Sequence, residues 1–379
     1  MLDRGYIEGY YGRLLSWQSR STLLKFLSHL DMNLYIYGPK EDPYNRIKWF
    51  ELYPDEELEN FKSFKEEASS LGITVYFSLS PGMSYDQEGT ANLESLKNKF
   101  NQLQSVGFSD FGIFFDDLES ERDANLGREH GYILTEMSKY LDKSSTSPLI
   151  FCPTVYCNSI ANNDILNSSY LKALDETIPS NLPMLWTGKA VVSQSIDNKE
   201  IKELQKIISN PVLIWDNYYA NDYCPSKFYI GPLKERHISK EFIEGIGLNL
   251  TGLPITDCFI LAQSRGDLTT EEILKKFKVP EAFKVLIPFF NGPFDKLPDL
   301  ESVDDIQNLI NLSKELCVEW KSPLQLEWSP FLWDFFNHLN FLKKIIIGND
   351  KKTLEAWALR RYSGPLAKII TSKLKKKGS

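Results

Sequence analysis

From residue 5 to about residue 265, short apolar runs alternate with helix-patterned stretches, and few architectures accept that alternation. The runs lie near 5–9, 33–37, 74–79, 111–115, 149–152, 184–186, 212–215 and 245–249. Between them, Leu58, Phe61, Phe64, Ala68 and Leu71, and again Leu93, Leu96, Phe100, Leu103 and Val106, keep the spacing of a helix with one buried face. Gly72 and Gly107 stand where such helices end in a left-handed residue. Eight strands alternating with helices over about 260 residues predict an α/β fold, a (β/α)8 TIM barrel. An open doubly wound sheet is the other architecture that the alternation allows.

The barrel is expected over residues 1–270, followed by a smaller C-terminal α-helical domain over 280–379. Past GPFDKLPDLES the pattern becomes helical, with a cap-like Ser302-x-x-Asp305 and a Ser-Pro helix start at 329–330. The segment FLWDFFNHLNFLKKIII (331–347) is apolar on nearly every face. It calls for burial by its own domain, by the barrel, or by a second subunit, so a homodimer through this region is one expectation.

Composition removes several function classes. Lys plus Arg number 43 against 51 Asp plus Glu, giving a net charge of −8, so neither nucleic acid nor an anionic membrane surface is an expected partner. The longest apolar runs are about six residues, far short of a span. The opening MLDRGYIEG reaches a strand pattern with no room for a signal peptide. A cytoplasmic protein is expected, nuclear as well if the source is eukaryotic, and secreted only if trimmed from a longer chain. The five cysteines (152, 157, 224, 258, 317) form no CxxC pair and read as reduced thiols. The four histidines (29, 130, 237, 338) are scattered, against a zinc hydrolase. P-loop and GxSxG motifs are absent, and GIGLNL (245–250) has Leu250 where a dinucleotide fingerprint needs its third glycine.

Barrel active sites are built at the C-terminal ends of the strands. Those positions here carry Glu8-Gly9-Tyr10-Tyr11, Lys40, Asp116-Asp117, Tyr156, Thr187, Asn217 with Asp222, and Asn249. So many hydrogen-bonding side chains on one rim suggest a pocket for a polyhydroxylated ligand. Trp186 and Trp215, also at strand ends, are candidates for walls against sugar faces, or for core packing.

The sharpest local signal is FGIFFDDLES (111–120), in which an apolar strand delivers two adjacent carboxylates. Two carboxylates at close range do not both ionise easily, and a protonated donor beside a carboxylate is what a glycosidase uses. Alternation along a regular strand would instead pair Asp117 with Glu119. Asp116 and Asp117 converge only if the strand ends or bulges there. Solvated loop carboxylates or a helix cap would also explain the pair.

EGYYGR (8–13), YIYGPKEDPYNR (35–46), FFDD (114–117), FCPTVYC (151–157), LWTG (185–188) and WDNYYANDY (215–223) together resemble glycoside hydrolase family 84, in order and over roughly residues 4–265. That family comprises the protein O-GlcNAcases and bacterial β-N-acetylglucosaminidases. The resemblance implies a retaining exo-β-N-acetylglucosaminidase acting by substrate-assisted catalysis, the substrate's acetamido oxygen forming an oxazoline. It implies that Asp116 accepts the acetamido N–H and that Asp117 is general acid and then base. Asn217 and Tyr156 would steady the acetamide, and Asp222, Asn249, Lys40 and the Gly9 backbone would hold the sugar hydroxyls. Tyr11, Cys152, Thr187, Val191, Trp215 and Tyr223 would line the pocket. No metal or organic cofactor is implied. The expected partner is a GlcNAc-bearing glycoprotein or glycan. Removal of O-GlcNAc from Ser/Thr is the first reading; trimming of glycans or hyaluronan fragments, or GlcNAc binding without chemistry, are the others.

Overall fold

The computed structural model describes residues 3–86, 88–141, 147–348 and 365–376. The described residues form ten strands: β1 (Asp3–Glu8), β2 (Leu34–Tyr37), β3 (Thr74–Leu79), β4 (Asp110–Phe114), β5 (Ile150–Cys152), β6 (Met184–Trp186), β7 (Ile196–Asp197), β8 (Val212–Asp216), β9 (Arg236–His237) and β10 (Gly245–Asn249). Eight close into a parallel barrel in the order β1-β10-β8-β6-β5-β4-β3-β2, while β7 and β9 pair separately. The predicted barrel is observed, and the open sheet is excluded.

The strands read as unbroken apolar runs because both of their faces are covered, as in barrels generally. Ile7, Leu34, Ile36, Tyr76, Phe114, Ile150, Leu185, Leu213 and Trp215 form one buried cluster, to which every barrel strand but β10 contributes. The helix Asp55–Ser70 buries Phe61, Phe64 and Ala68, and Leu93–Ser105 buries Leu96, Phe100 and Leu103, as their spacing requires. Gly72 and Gly107 follow these helices at φ 72° and 98°, a conformation that costs a residue with a Cβ far more than glycine. One departure from regular alternation lies between Asp216 and Gly245, where no helix forms and the chain contributes only β9.

The chain divides into two compact units: residues 1–218 with 234–254, and residues 219–233 with 255–379. The second unit carries the expected C-terminal helices, among them Val303–Val318 and Pro323–Ile347. Its core gathers on Trp328, whose ring lies 4.8 Å from Phe283, 5.2 Å from Phe228 and 5.7 Å from Trp320. Glu327 accepts the Ile255 and Thr256 amides at the start of the helix Pro254–Arg265. Ser302 caps Val303–Val318 as its spacing predicts. The Ser-Pro start expected at 329–330 is wrong: the helix begins at Pro323 behind Ser322, and Pro330 lies inside it. Pro330 sits on the exposed face, where water can satisfy the carbonyl that loses its amide partner. The 331–347 segment is also less uniformly buried than its composition suggests. Phe331, Leu332, Phe335, Leu339 and Leu342 face the unit's core while Trp333 and Ile347 remain exposed. Among the described residues, no helix is long and apolar enough to cross a membrane.

Candidate active site

The two aspartates converge because the strand stops before them. β4 ends at Phe114, and Asp117 takes a left-handed conformation with φ 56°, so period-two alternation no longer governs where its side chain points. The alternative pair, Asp117 with Glu119, loses the strand alternation that suggested it, since both residues lie beyond the end of β4, and Glu119 is exposed.

The aspartates have different surroundings. Asp116 is buried and paired with the equally buried Lys40 through Oδ2, whereas its Oδ1 has no hydrogen-bond partner. Asp117 is exposed and accepts two phenols, Tyr156 at Oδ1 (2.6 Å) and Tyr11 at Oδ2 (2.7 Å). Arg46 donates to the Tyr11 oxygen at 2.6 Å and lies over its ring at 5.1 Å. Desolvation by the surrounding protein opposes the Asp117 charge, but the Tyr156 and Tyr11 hydrogen bonds, with Lys40 and Arg46 near, outweigh it and hold the carboxyl below the usual carboxylate range. Tyr156 and Tyr11 are both pushed upward, first by burial and then by Asp117, so they stay protonated donors.

A second chain of contacts joins the remaining rim residues. The Lys40 ammonium stands 5.7 Å from the Trp215 ring centroid, and Trp215 Nε1 donates to Asn217 Oδ1 at 2.8 Å. Asn249 Nδ2 donates to the same oxygen at 2.9 Å, and the Gly9 amide donates to Asn249 Oδ1 at 3.2 Å. A Cβ on Gly9 would fall 2.4 Å from the Trp215 ring, so only glycine lets the chain pass there. Asn217 Nδ2 gives one hydrogen to the Val191 carbonyl at 2.8 Å, leaving its second for a ligand. Thr187 donates to the Ala190 carbonyl at 2.8 Å, fixing the loop that presents Val191. Cys152 is buried against Tyr156 and Trp215; burial, reinforced by Asp116, pushes its thiol up, making it a packing group rather than a nucleophile.

The structure thus brings together Gly9, Tyr11, Lys40, Asp116, Asp117, Cys152, Tyr156, Thr187, Val191, Trp215, Asn217 and Asn249. Asp222 and Tyr223 belong to the other compact unit, where the Tyr223 amide bonds Asp222 Oδ1 at 2.9 Å and the Tyr223 ring is exposed. One expectation for the rim is corrected. Glu8 does not face the pocket; it is fully buried, bound by Arg20 at 2.8 and 2.9 Å and by Tyr35 at 2.7 Å. Of the two readings open for Trp186, core packing is the one observed, because alternation turns it away from the interior that Leu185 faces.

Arg46 joins the site through Tyr11 and is not singled out by the sequence, although it closes the YIYGPKEDPYNR motif. Its importance lies in a contact across 35 residues that spacing cannot reveal. Asp216 and Arg236 were also overlooked; their paired bonds of 2.8 and 2.7 Å, with Arg236 donating to the Ser193 and Gln194 carbonyls, brace the loop beyond Val191.

A family model described as beta-N-acetylglucosaminidase matches residues 4–251. The protein O-GlcNAcases of Rattus norvegicus and Mus musculus are each 32% identical over 239 residues, covering 61% of this chain and 26% of theirs. The chain therefore spans about a quarter of the length of these curated relatives. Among solved structures, a variant of the O-GlcNAc hydrolase of Thermobaculum terrenum has a TM-score of 0.81 at 25% identity, covering 99% of this chain and 94% of that one. CpGH84B has a TM-score of 0.74 at 22% identity, covering 99% and 73%, a likeness of fold. With the match running from β1 to just past β10 and taking in the whole rim, this chain belongs to glycoside hydrolase family 84, the beta-N-acetylglucosaminidases.

Proposed function

We propose that the protein is a retaining exo-β-N-acetylglucosaminidase that removes O-GlcNAc from Ser/Thr of proteins through an oxazoline intermediate. The observation that carries this reading is the division of labour between the aspartates: Asp116 keeps one buried acceptor oxygen unpartnered, while Asp117 stands exposed between two phenols.

The acetamido N–H donates to Asp116 Oδ1, and the negative charge held there by Lys40 strengthens the acetamido oxygen as it attacks C1. That attack is intramolecular, so part of its entropic barrier is already removed. As the C1–O bond breaks, a protonated Asp117 passes its proton to the departing oxygen; the leaving group competes with Tyr11 for Oδ2, which relieves one of the bonds keeping Asp117 ionised. The resulting carboxylate then takes a proton from water, whose oxygen attacks C1 and reopens the oxazoline. Asn217 orients the acetamide with its remaining amide hydrogen, and Asn249 and the Gly9 backbone serve the hydroxyls.

O-GlcNAc as the substrate is supported by the names of the rodent and bacterial relatives, each an O-GlcNAc-cleaving enzyme by description. The test is hydrolysis of an aryl β-GlcNAc, followed by comparison of an O-GlcNAc glycopeptide with chito-oligosaccharides. Absence of aryl turnover would leave a GlcNAc-binding protein, and preference for the oligosaccharides would make it a glycan-trimming enzyme.

A further inference from the structure

Four buried side chains behind the aspartate pair close a ring that the proposed reaction does not use. The His130 imidazole, on the helix Ala124–Leu141, stacks on Phe115 with centroids 3.8 Å apart and planes 6° from parallel. Thr154 Oγ1 donates to the Phe115 carbonyl at 2.8 Å, and the Thr154 amide donates to the Tyr170 hydroxyl oxygen at 3.0 Å. That leaves the Tyr170 proton for His130 Nδ1, 2.9 Å away. Burial pushes His130 down to about 3, so its ring is neutral and can accept. None of the four side chains is more than 3% exposed.

The ring lies across the junction of two strand ends. The β4–β5 ladder runs Gly112–Ile150, Ile113–Phe151 and Phe114–Cys152, and the Phe115 amide adds a bond to the Cys152 carbonyl at 2.8 Å. Thr154 ties on to Phe115 one step further, and Tyr156 reaches Asp117 one step beyond that. Asp117, being left-handed, has left the ladder. Its distance from Tyr156 therefore depends on how firmly the two chain ends are held together before it.

We propose that Thr154, Tyr170 and His130 are positioning residues that staple the β5 end to the β4 end and thereby set the Tyr156–Asp117 hydrogen bond. The consequence for the reaction rests on the general-acid reading given above; the staple itself does not. Asp117 faces Tyr11, Arg46, Lys40, Tyr156 and its neighbour Asp116, and of these only Tyr156 comes from the β5 end. Loosening the staple weakens that one donor and makes the carboxylate easier to protonate.

The test compares Thr154→Val, His130→Phe and His130→Asn in the full chain. Valine keeps the shape of threonine without the donor, phenylalanine keeps the stack without the acceptor, and asparagine restores an acceptor near Nδ1 without the stack. The first readout is the Asp117 carboxyl titration followed by carbon NMR, which needs no substrate. Thr154→Val and His130→Phe should move it upward by about half a pH unit or more, while His130→Asn lowers the melting temperature but titrates near wild type. The second readout is turnover: Thr154→Val should lower kcat roughly tenfold on poor leaving groups, with KM within about twofold. If Thr154→Val does not fold, the two His130 variants decide. An unmoved titration in folded Thr154→Val or His130→Phe, or a shift in His130→Asn as large as in His130→Phe, overturns the staple. A wild type inactive on aryl β-GlcNAc overturns the proposed function instead, and the titration still judges the staple.

Discussion

The Tyr156 hydroxyl donates to Asp117 Oδ1 at 2.6 Å, joining the loop after β5 to the loop after β4 across 39 residues of sequence. With Tyr11 on the other oxygen, both lone-pair faces of the exposed carboxylate are engaged by phenols that hold their own protons. The group proposed as proton donor is thus tuned toward its charged form, and that sets its pH behaviour.

Tyr11→Phe removes one of these donors and separates Arg46 from Asp117. The depressed Asp117 carboxyl should rise toward its ordinary value. Because the basic limb of kcat/KM reports the free enzyme's essential acid, that limb should move to higher pH. A pH–rate series on an aryl β-GlcNAc measures it; a limb that stays put or moves down would detach Tyr11 from the acid.

Asp117→Ala should lower turnover by roughly 10²–10⁴ when the leaving group needs a proton, and far less in the first step for acidic phenols. Rates across phenols of graded acidity provide the measurement. Equal losses throughout would take the acid role away from Asp117.

The barrel was legible because each strand is a continuous apolar run between helices of clear period, and its polar C-terminal ends pointed at the rim. Direction was harder to read. Trp186 and Trp215 look alike as strand-end aromatics, yet only Trp215 faces inward, a difference of one residue in register. The turn at Asp117 depends on a left-handed aspartate, which carries no spacing signature. β7 and β9 are two residues each, too short for any periodicity. Asp222 and Tyr223 came from the WDNYYANDY resemblance and their place after a barrel strand, and neither signal shows that residues 219–233 pack with the C-terminal helices. His130 was one of four scattered histidines; only its partners give it a part to play.

Glu200 gives the folded state a pH dependence of its own. Its carboxyl is buried, and burial raises it to about 7 against the opposing pull of Lys189 and the Trp186 indole, with Asp197 and Glu203 adding to the rise. A raised pKa means that folding favours the protonated form, so this stability is complete below the ordinary 4.5 and is lost as pH climbs through 7. Glu200→Gln should flatten the fall in melting temperature between mildly acid and mildly alkaline buffer. Parallel curves for the two proteins would contradict the assignment.

Leu326, Trp333 and Ile347 are 73%, 38% and 55% exposed along Pro323–Ile347, with Asn340 between the last two, so the helix carries a broken apolar face away from its own core. We propose that a second copy of the chain covers it. Light scattering should report a dimer, and Trp333→Glu should give a folded monomer; a monomeric wild type would remove the proposal.

The identity of the nucleophile separates the oxazoline route from a glycosyl-enzyme ester. If the acetamido oxygen attacks, successive fluorination of its methyl group should depress turnover steeply, since fluorine withdraws electron density from that oxygen. A carboxylate nucleophile would be nearly indifferent. Asp116 acts in the same step, because the charge on its buried carboxylate reaches the attacking oxygen through the N–H. Asp116→Asn keeps the volume and removes that charge, and it also leaves the Lys40 ammonium buried without its counter-ion. It should therefore remove most of kcat even with acidic phenols, the opposite of the Asp117→Ala pattern. Thiazolines that imitate the intermediate should bind wild type tightly and Asp116→Asn more weakly, because their ring nitrogen loses the charged partner. A flat response to fluorination, or a sugar trapped as an ester on any carboxylate, would sink the substrate-assisted route.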